Sequence, residues 1–268
     1  MKKIISLVLI GILGLMVFTG CGKSKKAEAV STEGSTSMEK TIGTLGERFE
    51  EDNKIKVTYN PTGSSAGIQS VLDKRCDIGL ASRKLKDEEK SSGLEETVLA
   101  YDGIAIILNK ENSIKNINLV DLQKIYKGEI TNWKDLGGKD SPIVLIGREA
   151  GSGTRDGFEE VTETKDACKY NQELTATGDV ITTVAGNPNA IGYASLAAVS
   201  DKVNVVKIDN VSPNEKSIKD GKYPIQRPFM LVTCKDKKLS GSAKEFFDYA
   251  TSKEARELIE KSGVVPAK

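Results

Sequence analysis

Three short segments, Gly34-Ser35-Thr36-Ser37, Gly63-Ser64-Ser65 and Gly151-Ser152-Gly153-Thr154, each stand between a strand-like run and a helix-like run. Residues of these types at a strand-to-helix junction can bind an anion. A helix start offers unpaired backbone N–H groups and about half a positive charge. Glycine lets the backbone approach closely, and a hydroxyl can rotate its hydrogen toward an oxygen. Serine and threonine are also the ordinary caps of ordinary helices, and for one such loop capping alone is the better explanation. Three loops together with Arg83 and Arg148, whose planar forks match an oxyanion, favour a site for a tetrahedral oxyanion.

Several competing chemistries are excluded by the same residues. The chain has no histidine, which removes Ser-His-Asp and Cys-His catalysis and the commonest metal ligand. A nucleotide phosphate loop needs G-x-x-x-x-G-K-[ST], but Val17 stands where Gly22-Lys23-Ser24 would require glycine, and Gly138-Lys139 is followed by Asp140. Ala150 breaks the G-x-S-x-G pattern of a nucleophile elbow around Ser152. The sequence therefore predicts neither metal nor cofactor.

Lys2 and Lys3 precede an apolar run from Ile4 to Phe18, and Thr19-Gly20-Cys21 follows. The run is shorter than the roughly 20 residues of a bilayer span and has the pattern of a cleaved export signal over residues 1–20. Thr19-Gly20-Cys21 resembles a bacterial lipobox, with Phe18 in place of the usual leucine. That resemblance implies lipidation at Cys21, a tether over residues 21–29 and a place on the outer face of the cell membrane. Without the two leader lysines, the 39 basic residues become 37 against 38 acidic ones, a formal charge of −1. No basic excess exists to hold a nucleic-acid backbone. Cys76, Cys168 and Cys234 remain, an odd number without C-x-x-C spacing, and read as small buried side chains, although one pair could bridge in an exported protein.

The elements that must position the loops alternate between strand and helix, the pattern of an α/β fold with largely parallel sheets. Met38, Ile42, Leu45 and Phe49 recur at helical spacing, with Thr36 and Glu39 as a capping box at the start. Ile55, Val57 and Tyr59 alternate as a strand, Ile68, Val71 and Leu72 mark a helix, and Asp77 to Ala81 another strand. Thr97 to Leu108 is the longest strand signal and reads as buried on both faces. A helix around Leu119, Leu122 and Ile125, a surface turn near Trp133, and a strand over Ile143 to Ile146 open a second unit. A helix at Val180, Ile181 and Val184, a turn at Asn187-Pro188 and a strand over Ala190 to Ala194 continue it. Pro228 to Cys234 is a second long apolar strand, followed by helices carrying Phe246, Phe247, Leu258 and Ile259. Two such crossing strands suggest a hinge between a discontinuous lobe, residues 30–105 and 226–268, and a middle lobe, residues 106–225.

The loops named above, with Asp77-Ile78-Gly79-Leu80-Ala81-Ser82-Arg83, Gly151-Ser152-Gly153-Thr154-Arg155, Asn187-Pro188-Asn189-Ala190-Ile191-Gly192-Tyr193 and Tyr223-Pro224-Ile225-Gln226-Arg227-Pro228, resemble in order the phosphate-binding proteins of bacterial phosphate ABC transporters. The likeness runs over nearly the whole chain after the leader. It implies a two-lobed type II periplasmic-binding fold, no enzymatic turnover, a monomer, inorganic phosphate as ligand and transmembrane permease subunits as partners. Carried over by position, Thr36, Ser37, Ser64, Ser82, Arg83, Arg148, Ser152, Gly153 and Thr154 would surround the anion, while Arg155 makes a surface or inter-lobe salt bridge. Relatives use an aspartate to accept the proton of hydrogen phosphate, and Arg83 stands in its place after Ser82. An arginine cannot accept a hydrogen bond, so Asp102 is nominated as acceptor and Glu149 second. A hinge-turn role for Asp102, bonding local backbone, is the alternative. The competing functions are a phosphate-ester hydrolase and an adhesin or sensor on the same scaffold.

Overall fold

A computed structural model describes residues 29–239 and 241–268. The export signal, Cys21 and nearly all of the tether lie outside the described residues. The first β/α run comprises β1 (Ala29–Gly34), α1 (Glu39–Asn53), β2 (Lys56–Asn60), α2 (Ser64–Leu72), β3 (Ile78–Ala81) and α3 (Asp87–Ser91). The long strand β4 (Leu94–Asn109) leads into β5 (Asn116–Ile117), α4 (Leu119–Tyr126), β6 (Val144–Arg148), α5 (Gly153–Val161), β7 (Gln172–Leu174) and α6 (Thr177–Gly186). Then come β8 (Ala190–Ser195), β9 (Val203–Val205), β10 (Lys207–Ile208), α7 (Glu215–Lys219), β11 (Gln226–Cys234), α8 (Gly241–Ala250), α9 (Arg256–Lys261) and β12 (Val265–Pro266). No helix among the described residues is long and apolar enough to cross a membrane.

Eight strands follow one another in the order β2-β1-β3-β11-β4-β8-β6-β7, and β9 and β12 add to β4. Strands β1, β2 and β3 run parallel, as do β6, β7 and β8, while β4 and β11 are antiparallel to each other and to their neighbours. Strand β4 joins the two lobes: its residues up to Gly103 pair with β11, and from Ile104 onward it pairs with β8. The chain crosses back at Ile225, whose carbonyl accepts from Ile104 N–H at 2.8 Å, just before β11 begins.

The core follows the two periodicities expected of sheet and helix. Beyond the crossing point, Ile104, Ile106 and Leu108 face one hydrophobic cluster with Phe158, Tyr126 and Trp133, and Ala105 and Ile107 face another with Val180, Ile181 and Val184 of α6. In the first lobe, Met38, Ile42, Leu45 and Phe49 pack with Phe229, Leu231 and Phe246 on one sheet face, and Ile68 and Val71 of α2 pack with Met230 and Val232 on the other. Each lobe is thus a three-layer sandwich of helices around a sheet. The end of β4 from Asp102 onward is buried throughout, whereas its start is partly exposed, so the double burial read from sequence applies only to the second half.

One local reading of the sequence is refined and one is corrected. The expected surface turn near Trp133 is a 3-10 turn over Trp133–Leu136, but Trp133 itself is turned inward: it is 1% exposed, and its Nε1 donates to the Asn189 carbonyl at 3.0 Å. Helix α1 starts at Glu39, after a 3-10 turn over Thr36–Met38, so Thr36 forms no capping box with it. Ser35 caps the turn by accepting from Ser37 N–H at 3.3 Å, which leaves the Thr36 hydroxyl for a long-range partner. Gly34 sets this up with φ 143°, where a Cβ would collide with the Leu80 carbonyl.

Candidate anion-binding site

The three glycine-and-hydroxyl loops meet. Ser37 Oγ lies 2.9 Å from Thr154 Oγ1 and 3.0 Å from Thr177 Oγ1, and Thr36 Oγ1 lies 3.0 Å from the same Thr177 hydroxyl. Ser65 N–H donates to the Gly151 carbonyl at 3.0 Å, so the second and third loops touch through their backbones. Strands β1, β3, β6 and β7 all end here, in the crevice outside the carboxyl edge of a parallel sheet where α/β folds bind ligands. Helices α2, α5 and α6 begin in the same place, at Ser64, Gly153 and Thr177, and bring the positive ends of their dipoles with them. Thr36, Ser37, Ser64, Ser82, Ser152, Thr154 and Thr177 are all buried.

Arg148, at the end of β6, supplies the charge. It is 1% exposed, and its guanidinium donates to the carbonyls of Leu174 and Thr175 at 3.0 and 2.7 Å and to Thr177 Oγ1 at 3.2 Å. Among the described residues no carboxylate forms a salt bridge with it. Burial pushes its pKa down to about 10, and the neighbouring positive charge of Arg227 acts in the same direction. It remains charged at neutral pH. A buried cation ringed by hydroxyls and helix starts, with no carboxylate partner among the described residues, favours an anion beside it, because a buried charge without a partner costs several kcal/mol.

Behind the loops lies a second, self-contained charge pair. Arg227, on β11, donates from Nε and Nη2 to Asp102 Oδ2 on β4 at 3.2 and 3.0 Å, with side chains 2% and 0% exposed. Ser195 Oγ donates to Asp102 Oδ1 at 3.0 Å, and Ala197 adds a backbone bond. The remaining arm of Arg227, Nη1, donates to Ser82 Oγ at 3.2 Å. Ser35 Oγ donates to the same oxygen at 2.8 Å. Both lone pairs of Ser82 Oγ are therefore taken, and its own hydrogen is forced outward, toward Ser64 Oγ at 3.2 Å. Burial raises the Asp102 carboxyl and lowers the Arg227 guanidinium, each shift opposed by the partner's charge.

This arrangement has known counterparts. The family model described as a PBP superfamily domain matches residues 21–254. The phosphate-binding protein PstS of Borreliella burgdorferi is 31% identical over 281 residues, covering 100% of both chains. That of Bacillus subtilis is 31% identical over 252 residues, 91% of this chain and 83% of its own. The chain belongs to the PstS family. A solved family structure, a putative phosphate ABC transporter substrate-binding protein from Clostridium perfringens with bound phosphate, is 40% identical over 90% of this chain and 100% of its own, with a TM-score of 0.87. An ABC-type phosphate transport receptor from Vibrio cholerae superposes at 0.73 with 31% identity, covering 89% of this chain and 100% of its own.

The structure brings Thr36, Ser37, Ser64, Ser82, Arg148, Gly153 and Thr154 to one place, and Ser152 caps α5 beside them. Two nominees do other work. Asp102 holds four bonds, from Ser195, from two nitrogens of Arg227 and from Ala197, and so fills the roughly four acceptor positions of a carboxylate. No lone pair is left for a ligand's proton. Arg83 sits beside the cluster rather than in it, with its fork spent on Glu89 and Asp156. Glu149, the second nominee, is half-buried, with Oε1 near Gly63. Arg155 bridges Glu159 and Glu173 at 2.8 and 3.1 Å and stays on its own lobe. Sequence reasoning missed Thr177 and Arg227. Thr177 lacks the flanking Gly-Ser signature of the other loops, although Gly178-Asp179 after it is a helix-start signal. Arg227 stood within a quoted motif, with nothing local to reveal its partner.

Gly153 offers a test of loop convergence. A Cβ there would lie 2.7 Å from Ser82 Oγ and closer still to Ser64 Oγ, both on the other lobe. Gly153→Ala should weaken anion binding by about tenfold or more, the overpacking cost being on the order of 1–3 kcal/mol. Opening the lobes relieves the clash, so thermal stability without ligand should stay near that of the unmodified protein. A calorimetric titration and a melting curve read both.

Proposed function

We propose that this protein captures inorganic phosphate between its lobes and hands it to the transmembrane permease subunits of an ABC transporter, without chemical turnover. The observation that carries this is Arg148: a fully buried guanidinium, without an acidic partner among the described residues, at the meeting point of three helix starts. The names of the PstS relatives and the phosphate in the Clostridium perfringens structure give the anion its identity. Thr36, Ser37, Ser64, Ser152, Gly153, Thr154 and Thr177 surround it with Arg148, and Ser82 orients Ser64. Hydrogen phosphate also needs an acceptor for its one proton, and a hydroxyl can serve, since it both donates and accepts. The lobes comprise residues 30–105 with 226–268, and 106–225. The leader pattern and the lipobox support export and anchoring through Cys21 as a monomer on the outer face of the cell membrane.

A thermal-shift series with phosphate, arsenate, sulfate and nitrate tests the reading. A ligand at a hundred times its Kd stabilises the folded state by about 2.7 kcal/mol, which raises the melting temperature by several degrees in a concentration-dependent way. Phosphate should give the largest rise. No rise with any oxyanion would refute anion capture, and sustained phosphate release from a generic phosphate ester would favour a hydrolase instead.

A further inference from the structure

Arg83 is the residue that the anion cluster does not use. It follows Ser82 directly, at the end of β3 in the first lobe, and its side chain is 6% exposed. Its two terminal nitrogens are held on that lobe: Nη1 donates to Glu89 Oε2 at 2.8 Å, and Nη2 to Glu89 Oε1 at 2.7 Å. Further bonds run to the Lys84 carbonyl at 2.9 Å and Ser65 Oγ at 3.1 Å. Only Nε is left over. It faces Asp156 Oδ2 at 2.9 Å, in the first turn of α5 on the other lobe. Nε lacks the alignment of a straight hydrogen bond, so the contact is one of charge rather than direction.

We propose that Arg83 and Asp156 form a charge latch that sets how long the lobes stay closed over the anion; this rests on the capture function above. The division of labour supports it. Glu89 fixes the guanidinium to the first lobe at no cost to mobility between the lobes, while a single undirected contact reaches across. The Glu89 carboxyl is held below the usual range chiefly by Arg83, against the effect of burial. Asp156 is also a favourable first-turn residue for α5 on its own. It can leave Arg83 without being stranded, since it is 36% exposed. Breaking the contact thus costs little, as an opening step requires, and the residue beside the site acts on release rather than on the ligand. The cross-lobe backbone bond from Ser65 to Gly151 is insensitive to charge, so the latch is separable from it by salt.

The test is Asp156→Asn in the otherwise intact protein. Stopped-flow exchange should show phosphate leaving about fivefold faster, the scale of a partly exposed ion pair, with the association rate unchanged. Release from the unmodified protein should quicken between about 0.05 and 0.5 M NaCl, and release from Asp156→Asn should not. Asp156→Glu, which restores the charge, should recover slow release. Small-angle scattering of the anion-free protein should give a larger radius of gyration for Asp156→Asn. Equal release rates and equal salt slopes, with only the melting temperature changed, would reduce the pair to a structural contact and overturn the latch. Failure of phosphate to bind either protein would instead overturn the function, and the latch would then stand or fall on the radius of gyration alone.

Discussion

Replacing Arg148 with methionine is expected to weaken phosphate binding by about a hundredfold or more, on the order of 3–4 kcal/mol, the cost of removing one member of a buried charge pair. The reason lies in what the protein has already done before the anion arrives. Two carbonyls, of Leu174 and Thr175, and the Thr177 hydroxyl hold the guanidinium in place, and burial has stripped it of water. An arriving anion therefore meets a preorganised cation and gains its attraction without reorganising the site. The lowered pKa has a definite sign. A base whose folded pKa lies below its unfolded one is destabilising while charged, at every pH below about 10. Methionine should therefore cost the empty protein little stability, because relief of the unpaired charge offsets two carbonyls left without donors. Arg148→Lys should fall between, keeping a charge but not the fork. Isothermal calorimetry with phosphate, alongside melting curves of the empty variants, separates the effects. Unchanged affinity in Arg148→Met would remove the residue from the site.

How much of this was legible beforehand depended on range. The helical stripe of Met38, Ile42, Leu45 and Phe49 and the long strand through Ile104 to Leu108 are local periodicities, and both were readable. The loops were readable for the same reason: glycine with hydroxyls between a strand and a helix is a pattern within a few residues. What escaped was pairing at a distance. Asp102 meets Arg227 across 125 positions of sequence, and Thr36 meets Thr177 across 141. No propensity encodes such meetings. A buried arginine with three directed arms looks, in sequence, like any other arginine. Arg83 reads as a site residue because its planar fork follows Ser82 beside the loops, yet Glu89, six residues on, claims that fork. The turn near Trp133 is a local signal and was readable, whereas the burial of the indole within it comes from tertiary packing.

The second large effect concerns the fold rather than the ligand. Asp102→Ala should destabilise the protein by about 3–5 kcal/mol, because it leaves Arg227 charged, buried and without a counter-ion. The pair sits where β4 and β11 join the lobes, and its bonds reach Ser195 on one lobe and Ser82 on the other. Loss of Asp102 should thus loosen the crossing itself. The double variant Asp102→Leu with Arg227→Met should recover most of that stability, since two apolar side chains of similar size need no desolvated charge. It should not recover tight phosphate binding. Without Nη1 of Arg227, one lone pair of Ser82 Oγ is freed, its hydrogen is no longer forced toward Ser64, and the hydroxyl chain behind the anion loses its fixed direction. Urea unfolding of the three variants, paired with phosphate titrations, gives both quantities. If the double variant proves as unstable as Asp102→Ala, the damage comes from lost packing at the crossing and not from an orphaned charge. If it binds phosphate as tightly as the unmodified protein, Arg227 has no part in aligning the donors.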